Sequence, residues 1–162
     1  MKRIALVLVL IILTGTMVVS AEIRTGTDSF TGGSRYTSGN YLDDEKWVGL
    51  RKIIDGDKML YELLFSEKDL KHVKFTQDNG EIKIDNNPIN SIIIKETSSM
   101  PTINSALSHI RLSATISLEQ IEPIKNANRV AFRFCKTDGT TSIIILPDAV
   151  LAEWKDVINT EK

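Results

Sequence analysis

Histidine and cysteine are nearly absent from these 162 residues: the chain holds His72, His109 and the single cysteine Cys135. A zinc site needs several such ligands brought close together, and three residues spread this far apart do not supply one. A lone cysteine also excludes an intramolecular disulfide. Positive charge is not in excess either, with 20 Lys and Arg against 21 Asp and Glu and a formal net charge of -1. Nucleic-acid binding draws on a basic face, so that class of function is set aside. Gly32-Gly33 is not followed by the Gly-Lys-Ser/Thr of a phosphate-cradling loop. No serine stands in a Gly-x-Ser-x-Gly elbow, and no Asn-x-Ser/Thr sequon occurs.

What is present begins with an export signal. Lys2 and Arg3 form a short positive region, Ile4 to Leu13 runs without a polar group, and Val19-Ser20-Ala21 offers compact residues for a signal peptidase. That order of polarity and size is the pattern of a secretory signal peptide over residues 1–21, with the working protein beginning at Glu22. The rival is an uncleaved anchor, since Ile4 to Ala21 approaches the ~17–25 residues that span a bilayer. Thr14, Gly15, Thr16 and Ser20 weaken it. Cleavage removes two cations and leaves the remainder slightly more acidic. No cysteine follows the apolar run, so lipid modification of an N-terminal cysteine is not available.

Residues 22–45 are rich in Gly, Ser and Thr and end in Asp43-Asp44-Glu45. Little apolar surface is available there to offset the entropy of ordering, which predicts a tether. Phe30, Tyr36 and Tyr41 leave room for one short strand in it, or for contact with a sugar or a peptide.

From Lys46 onward, residues 46–162 read as one domain. Trp47–Ile54 and Met59–Phe65 flank Asp55-Gly56, a strong hairpin signal because a type I′ turn wants positive φ. Met59, Tyr61, Leu63 and Phe65 share one face by alternation, and Leu60 and Leu64 lie on the other. Asp55-x-Asp57 offers far fewer oxygens than calcium requires, so turn chemistry accounts for it. Residues 66–70 read as a turn or one helical loop. A second hairpin is expected at Asp78-Asn79-Gly80, between 72–76 and 81–85, and another break at Asp85-Asn86-Asn87-Pro88. Ile89–Lys95 reads as a strand, Glu96–Asn104 as a loop, and Leu107–Ser117 as a strand with one wet face.

Ser117-Leu118-Glu119-Gln120 has the spacing of a capping box, with Leu118, Ile121, Ile124 and Ala127 at helical spacing and Pro123 set to kink or shorten the helix. Arg129–Cys135 reads as a strand that buries Cys135 as a small apolar group, pairing with another chain being the alternative for a lone thiol in an exported protein. A turn at Lys136–Thr140 leads to Ser142–Leu146, an apolar run typical of a central strand. Pro147 and Asp148 then open a helix whose Val150, Leu151, Trp154, Val157 and Ile158 form one apolar stripe.

The expected fold class is α+β: a mostly antiparallel β-sheet, with one short internal helix and a C-terminal amphipathic helix packed on one face in two layers. The phrase Leu118-Glu119-Gln120-Ile121, with Val130–Phe134, Asp138-Gly139 and Ala152–Lys155, resembles small exported bacterial proteins. The resemblance covers the C-terminal third and implies no activity. No catalytic, cofactor-binding or metal-ligating residue is assigned, and no cofactor is expected. Glu119 with Glu122, and the two histidines, are the groups available for acid–base work. The first pair reads as a solvated helix face and both histidines as solvated residues.

The functional expectation is an exported, non-catalytic domain, periplasmic, envelope-associated or extracellular, that binds a protein or ligand there. A small exported hydrolase and a membrane-anchored structural protein are the alternatives, the last requiring an uncleaved leader. Intact-mass measurement of natively expressed protein is expected to find a soluble species starting at Glu22; a full-length mass confined to the membrane fraction would establish the anchor instead.

Overall fold

The computed structural model describes residues 23–27, 32–103 and 105–161; the leader over 1–21 lies outside them. Among the described residues nine strands form one antiparallel sheet. They are β1 (Arg24–Thr27), β2 (Ser34–Tyr41), β3 (Lys46–Asp55), β4 (Lys58–Leu70), β5 (Gly80–Ile84), β6 (Asn90–Pro101), β7 (Leu107–Ile116), β8 (Val130–Cys135) and β9 (Thr141–Ile145). Helices α1 (Leu118–Asn126) and α2 (Asp148–Asn159) complete an α+β fold in two layers. The strand order is β1-β2-β3-β4-β7-β6-β5-β8-β9.

The β3–β4 hairpin forms where expected, but its turn sits one residue later. Asp55 pairs with Lys58, which leaves Gly56-Asp57 as the turn, and only Gly56 takes a positive φ, 58°. That sign pattern belongs to type II′ rather than type I′. The tract 22–45, expected as a tether with room for one short strand, carries both β1 and β2. β2 pairs with β3 over eight residues, from Ser34–Ile54 to Tyr41–Trp47. Long-range pairing overrides the local composition there, because a neighbouring strand supplies the hydrogen bonds that the segment's own side chains cannot.

Four further expectations are corrected by non-local pairing. Residues 66–70 continue β4, and residues 96–101 continue β6, each held by β7. The segment 72–76 does not form a hairpin with β5; Phe75 makes one bridge, to Lys136. Gly80 instead opens β5 at a point where an added Cβ would collide with the Phe134 ring. Finally, the apolar run at 142–146 forms not a central strand but the edge strand β9, with Ile143 and Ile145 exposed.

β6 is where the sheet turns over on itself. Its first residues, Asn90–Ile92, pair with β5, whereas Ile93–Pro101 pair with β7, with a bulge between Ile94 and Glu96. Bulges add local twist and bend. The β5-β8-β9 arm thereby returns over the inner face of β4. Phe65 of β4 stacks with Phe134 of β8 at 6.2 Å between centroids, and Phe75 closes the group at 5.6 Å from Phe65. Phe132 on β8 then meets Trp154 of α2 at 5.8 Å. Trp154 is fully buried, and the other four residues of the α2 stripe are buried with it. Truncating such an aromatic costs about 3–5 kcal/mol, a large share of the ~5–15 kcal/mol that holds a domain together.

The helices are fixed at their ends. Ser117 and Gln120 make the reciprocal capping box at the start of α1, and Pro123 lies within that nine-residue helix. Leu118 is exposed, leaving Ile121 and Ile124 to face the core. Lys52 of β3, buried, donates to the carbonyls of Ile158 and Thr160 at 2.7 Å each, at the negative end of α2. Burial is the main cause that lowers its pKa below 10.5. Lys155 joins the helices by donating to Ala127 O at 2.8 Å.

One buried ionic group ties the returning arm to β4. Glu67 is 3% exposed; its carboxylate meets Lys136 at 2.6 Å and accepts from the Ser142 hydroxyl at 2.7 Å. Asp69 meets the same ammonium at 2.8 Å. Burial by itself would lower the Lys136 pKa, but the hydrogen bonds to Asp69 and Glu67 outweigh it and hold it above 10.5. Removing one partner of such a group leaves a buried charge unpaired. Lys136→Met is therefore expected to cost about 3 kcal/mol or more by urea denaturation, with Glu67→Gln in the same chain restoring part of it. A raised lysine pKa contributes stability that is full below the unfolded value and is lost as pH climbs through the folded one. The stability gap between wild type and Lys136→Met should thus hold steady up to about pH 10.5 and narrow above it.

Candidate functional site

Alternation along β3 sends Val48, Leu50 and Lys52 inward, so Trp47, Gly49 and Arg51 point outward. On that outer face Trp47 stands opposite Tyr41 of β2 and Ser66 of β4. Gly39 and Gly49 are themselves cross-strand partners. The indole occupies the space their side chains would fill. A Cβ on Gly49 would lie 2.7 Å from Trp47 Cη2 and 2.6 Å from the Ser38 carbonyl, and one on Gly39 would overlap the same ring. These two glycines are needed for close approach rather than for positive φ, and they lay Trp47 down on the sheet.

The next row is charged. Arg51 meets Glu62 of β4 at 3.2 Å, and Lys95 of β6 meets the other carboxylate oxygen at 3.3 Å. The Glu62 side chain is 13% exposed, Arg51 31% and Lys95 41%. Pairs this open to water contribute at most about 1 kcal/mol, so their effect is to align the side chains and cancel charge. On β7, Arg111 stands opposite Ser66 and Ser98, while Ser113 stands between Leu64 and Glu96. The rim at one end is the turn after β2, where Asp43 Oδ1 accepts from the backbone N–H of Glu45 and Lys46 at 2.8 and 2.7 Å.

Trp47, Tyr41, the Arg51–Glu62–Lys95 row and the β7 residues Arg111 and Ser113 line an open cleft of about 870 Å³, within the ~300–1,000 Å³ usual for ligand sites. Leu64 faces it from β4, so the second face of that strand is half-buried. Phe65 and Leu112 border it with only 1% and 4% of their surface exposed. The apolar surface on offer is mainly that of Trp47, Tyr41 and Leu64.

His109 of β7 lines the cleft, half-buried. His72, by contrast, sits exposed in the turn after β4 and is not part of it. Glu119 and Glu122 are exposed on α1, where Glu122 pairs with Lys125 at 2.6 Å. Asp55 and Asp57 are exposed at the hairpin turn. Cys135, expected to be buried, is exposed. Phe132 and Phe134 take the inward phase of β8, so Arg133 and Cys135 must point out. Among the described residues no group of three His, Cys, Asp or Glu comes together as a metal site. No described helix is long and apolar enough to cross a membrane.

Trp47, Arg51, Glu62 and Arg111 were not singled out by sequence reasoning. The signal was available in the period-two phase of β3, β4 and β7, which assigns each an outward direction once the inward set is known.

No family model, curated protein or solved structure matches the chain, so the resemblance of its C-terminal third to small exported bacterial proteins finds no support there.

Gly49→Ala should displace the indole and strain β2, lowering stability by about 1–3 kcal/mol. Gly26→Ala, where nothing lies within 4 Å, should change little. The chain has two tryptophans, so the check is direct: in the Gly49→Ala spectrum the Trp47 indole N–H resonance should move much further than that of Trp154.

Proposed function

We propose that this chain is an exported, non-catalytic binding domain, released from its leader after Ala21 and acting in the periplasm, cell envelope or medium. Its ligand docks on the outer face of β3-β4-β7-β6. The observation that carries this reading is Trp47 laid over Gly39 and Gly49 in a sheet face that no other described element covers. A large aromatic held half-exposed in a polar surface is a frequent mark of a contact site. Gly49 is required by the Ser38 carbonyl as well as by the indole, but at Gly39 the nearest atoms are all those of the Trp47 ring; without that ring a larger residue could stand there, and as a glycine it adds backbone freedom to be lost on folding. That cost is understandable when the platform it makes room for is used. The leader supports the location, and the polar, uncovered face supports a ligand met in water.

A titration of the isotopically labelled mature chain with soluble envelope extract tests the reading. Shifts are expected to concentrate at Trp47, Ser66, Arg111 and Ser113. Shifts confined to α2, α1 or the β8–β9 hairpin would move the binding surface elsewhere, and an unresponsive spectrum would remove it.

A further inference from the structure

We infer that the ligand of this face is an uncharged carbohydrate chain; the inference rests on the binding-face reading above and specifies what the face recognises. Three features select this class.

The first is the pair of adjacent rings. Trp47 and Tyr41 are direct cross-strand partners, which places their Cβ atoms about 4.5–5.5 Å apart on one side of the sheet. Tyr41 is 80% exposed, and Trp47 has the glycines beneath it. Sugar rings present a face of C–H groups that packs on an aromatic ring, and consecutive units of a chain can use consecutive rings. Tyr and Trp suit this because each joins an apolar body to a polar tip.

The second is charge balance. Arg51 and Lys95 bracket Glu62, and the cleft as a whole is lined by carboxylates and cations in nearly equal number. Such a face presents no strong field of either sign, so neither a polyanion nor a polycation is favoured. It does present guanidinium, carboxylate and hydroxyl groups side by side. Sugar hydroxyls both donate and accept, and this mixture answers both demands.

The third is what the face lacks as a peptide site. Peptides that add to sheets pair with a free strand edge, through main-chain groups. Here the cleft lies over β3, β4 and β7, whose ladders are satisfied by strands on both sides. Peptides that dock by side chains use apolar pockets, whereas Phe65 and Leu112 are covered and leave Leu64 as the aliphatic surface.

The test is calorimetric titration of the natively processed chain with cellohexaose, chitohexaose and maltohexaose, beside hexagalacturonate and a random-sequence peptide mixture. Saturable binding of at least one neutral hexasaccharide is expected, stronger than binding of the anionic one. Trp47→Ala should weaken it by at least about tenfold, and Trp47→Phe should recover part of the loss. Tyr41→Ala, at a position that packs on no core residue, should weaken it too if Trp47→Ala fails to fold. Ile143→Ser on the remote edge strand should bind as wild type. Binding unchanged in Trp47→Ala and Tyr41→Ala would overturn the site. Peptides binding in a Trp47-dependent way while all neutral hexasaccharides fail would overturn the carbohydrate class and leave the face standing. Failure of every probe, with envelope extract also giving no shifts at the face, would overturn both.

Discussion

The pleat of β4 sends Tyr61, Leu63 and Phe65 to one side and Glu62, Leu64 and Ser66 to the other, and among the described residues other elements cover only the first side. That asymmetry governs the rest of the molecule. Each inward aromatic or aliphatic residue gains about 1.5–3 kcal/mol by leaving water, so α1, α2 and the β5-β8-β9 arm gather over that side. The outward residues have no such drive and remain polar or half-exposed. Where a charge must face inward, as at Glu67, the structure supplies Lys136 and Ser142 to meet it. The same ionic group that satisfies Glu67 also fixes the arm in place.

The covering elements shape the open face from behind. Helix α2 packs on β2 and β3 through their inward residues: Ser38 and Asn40 donate to Glu153 at 3.2 and 2.7 Å, and Lys52 holds the helix end. Their sequence neighbours Gly39, Tyr41 and Arg51 are outward and belong to the candidate site. Each strand therefore anchors on one side what it displays on the other. Side chains mounted on strands clamped in this way lose little further freedom when a ligand arrives, which favours binding.

Much of this could be read from the chain before any coordinates. The hairpin at residue 56, the clean alternation of β7, the capping box at Ser117 and the α2 stripe are local patterns, set by residues within one or two turns of each other. What escaped was set from a distance. β2 and the second half of β6 look like loops because Gly, Ser and Thr dominate them, yet β3 and β7 supply their hydrogen bonds. β9 looks central because Ser142–Leu146 is so apolar, yet it ends the sheet. Cys135 looks buried for the same reason, and the phase of Phe132 and Phe134 turns it out. The site itself was half legible. Tyr41 stood out in a tract rich in glycine, but its meeting with Trp47 above Gly39 and Gly49 depends on the β2–β3 register. One residue of slip would send the glycines to the other face.

The openness of the face also bears on binding against catalysis. Charge stabilisation in a reaction is strongest where water is excluded and dipoles are fixed around the reacting atoms. On a sheet surface open along its length, Arg51, Glu62 and Arg111 act against solvent that screens them, so each contact is weak. A surface of this kind suits ligands that bring many equivalent contacts, since a chain of repeating units can add one modest interaction per unit. For such a ligand, stacking on Trp47 and Tyr41 would fix position along the chain, and the balanced charges around them would select against ligands of either sign. A polymer met in water calls for that form of recognition more than for a deep pocket.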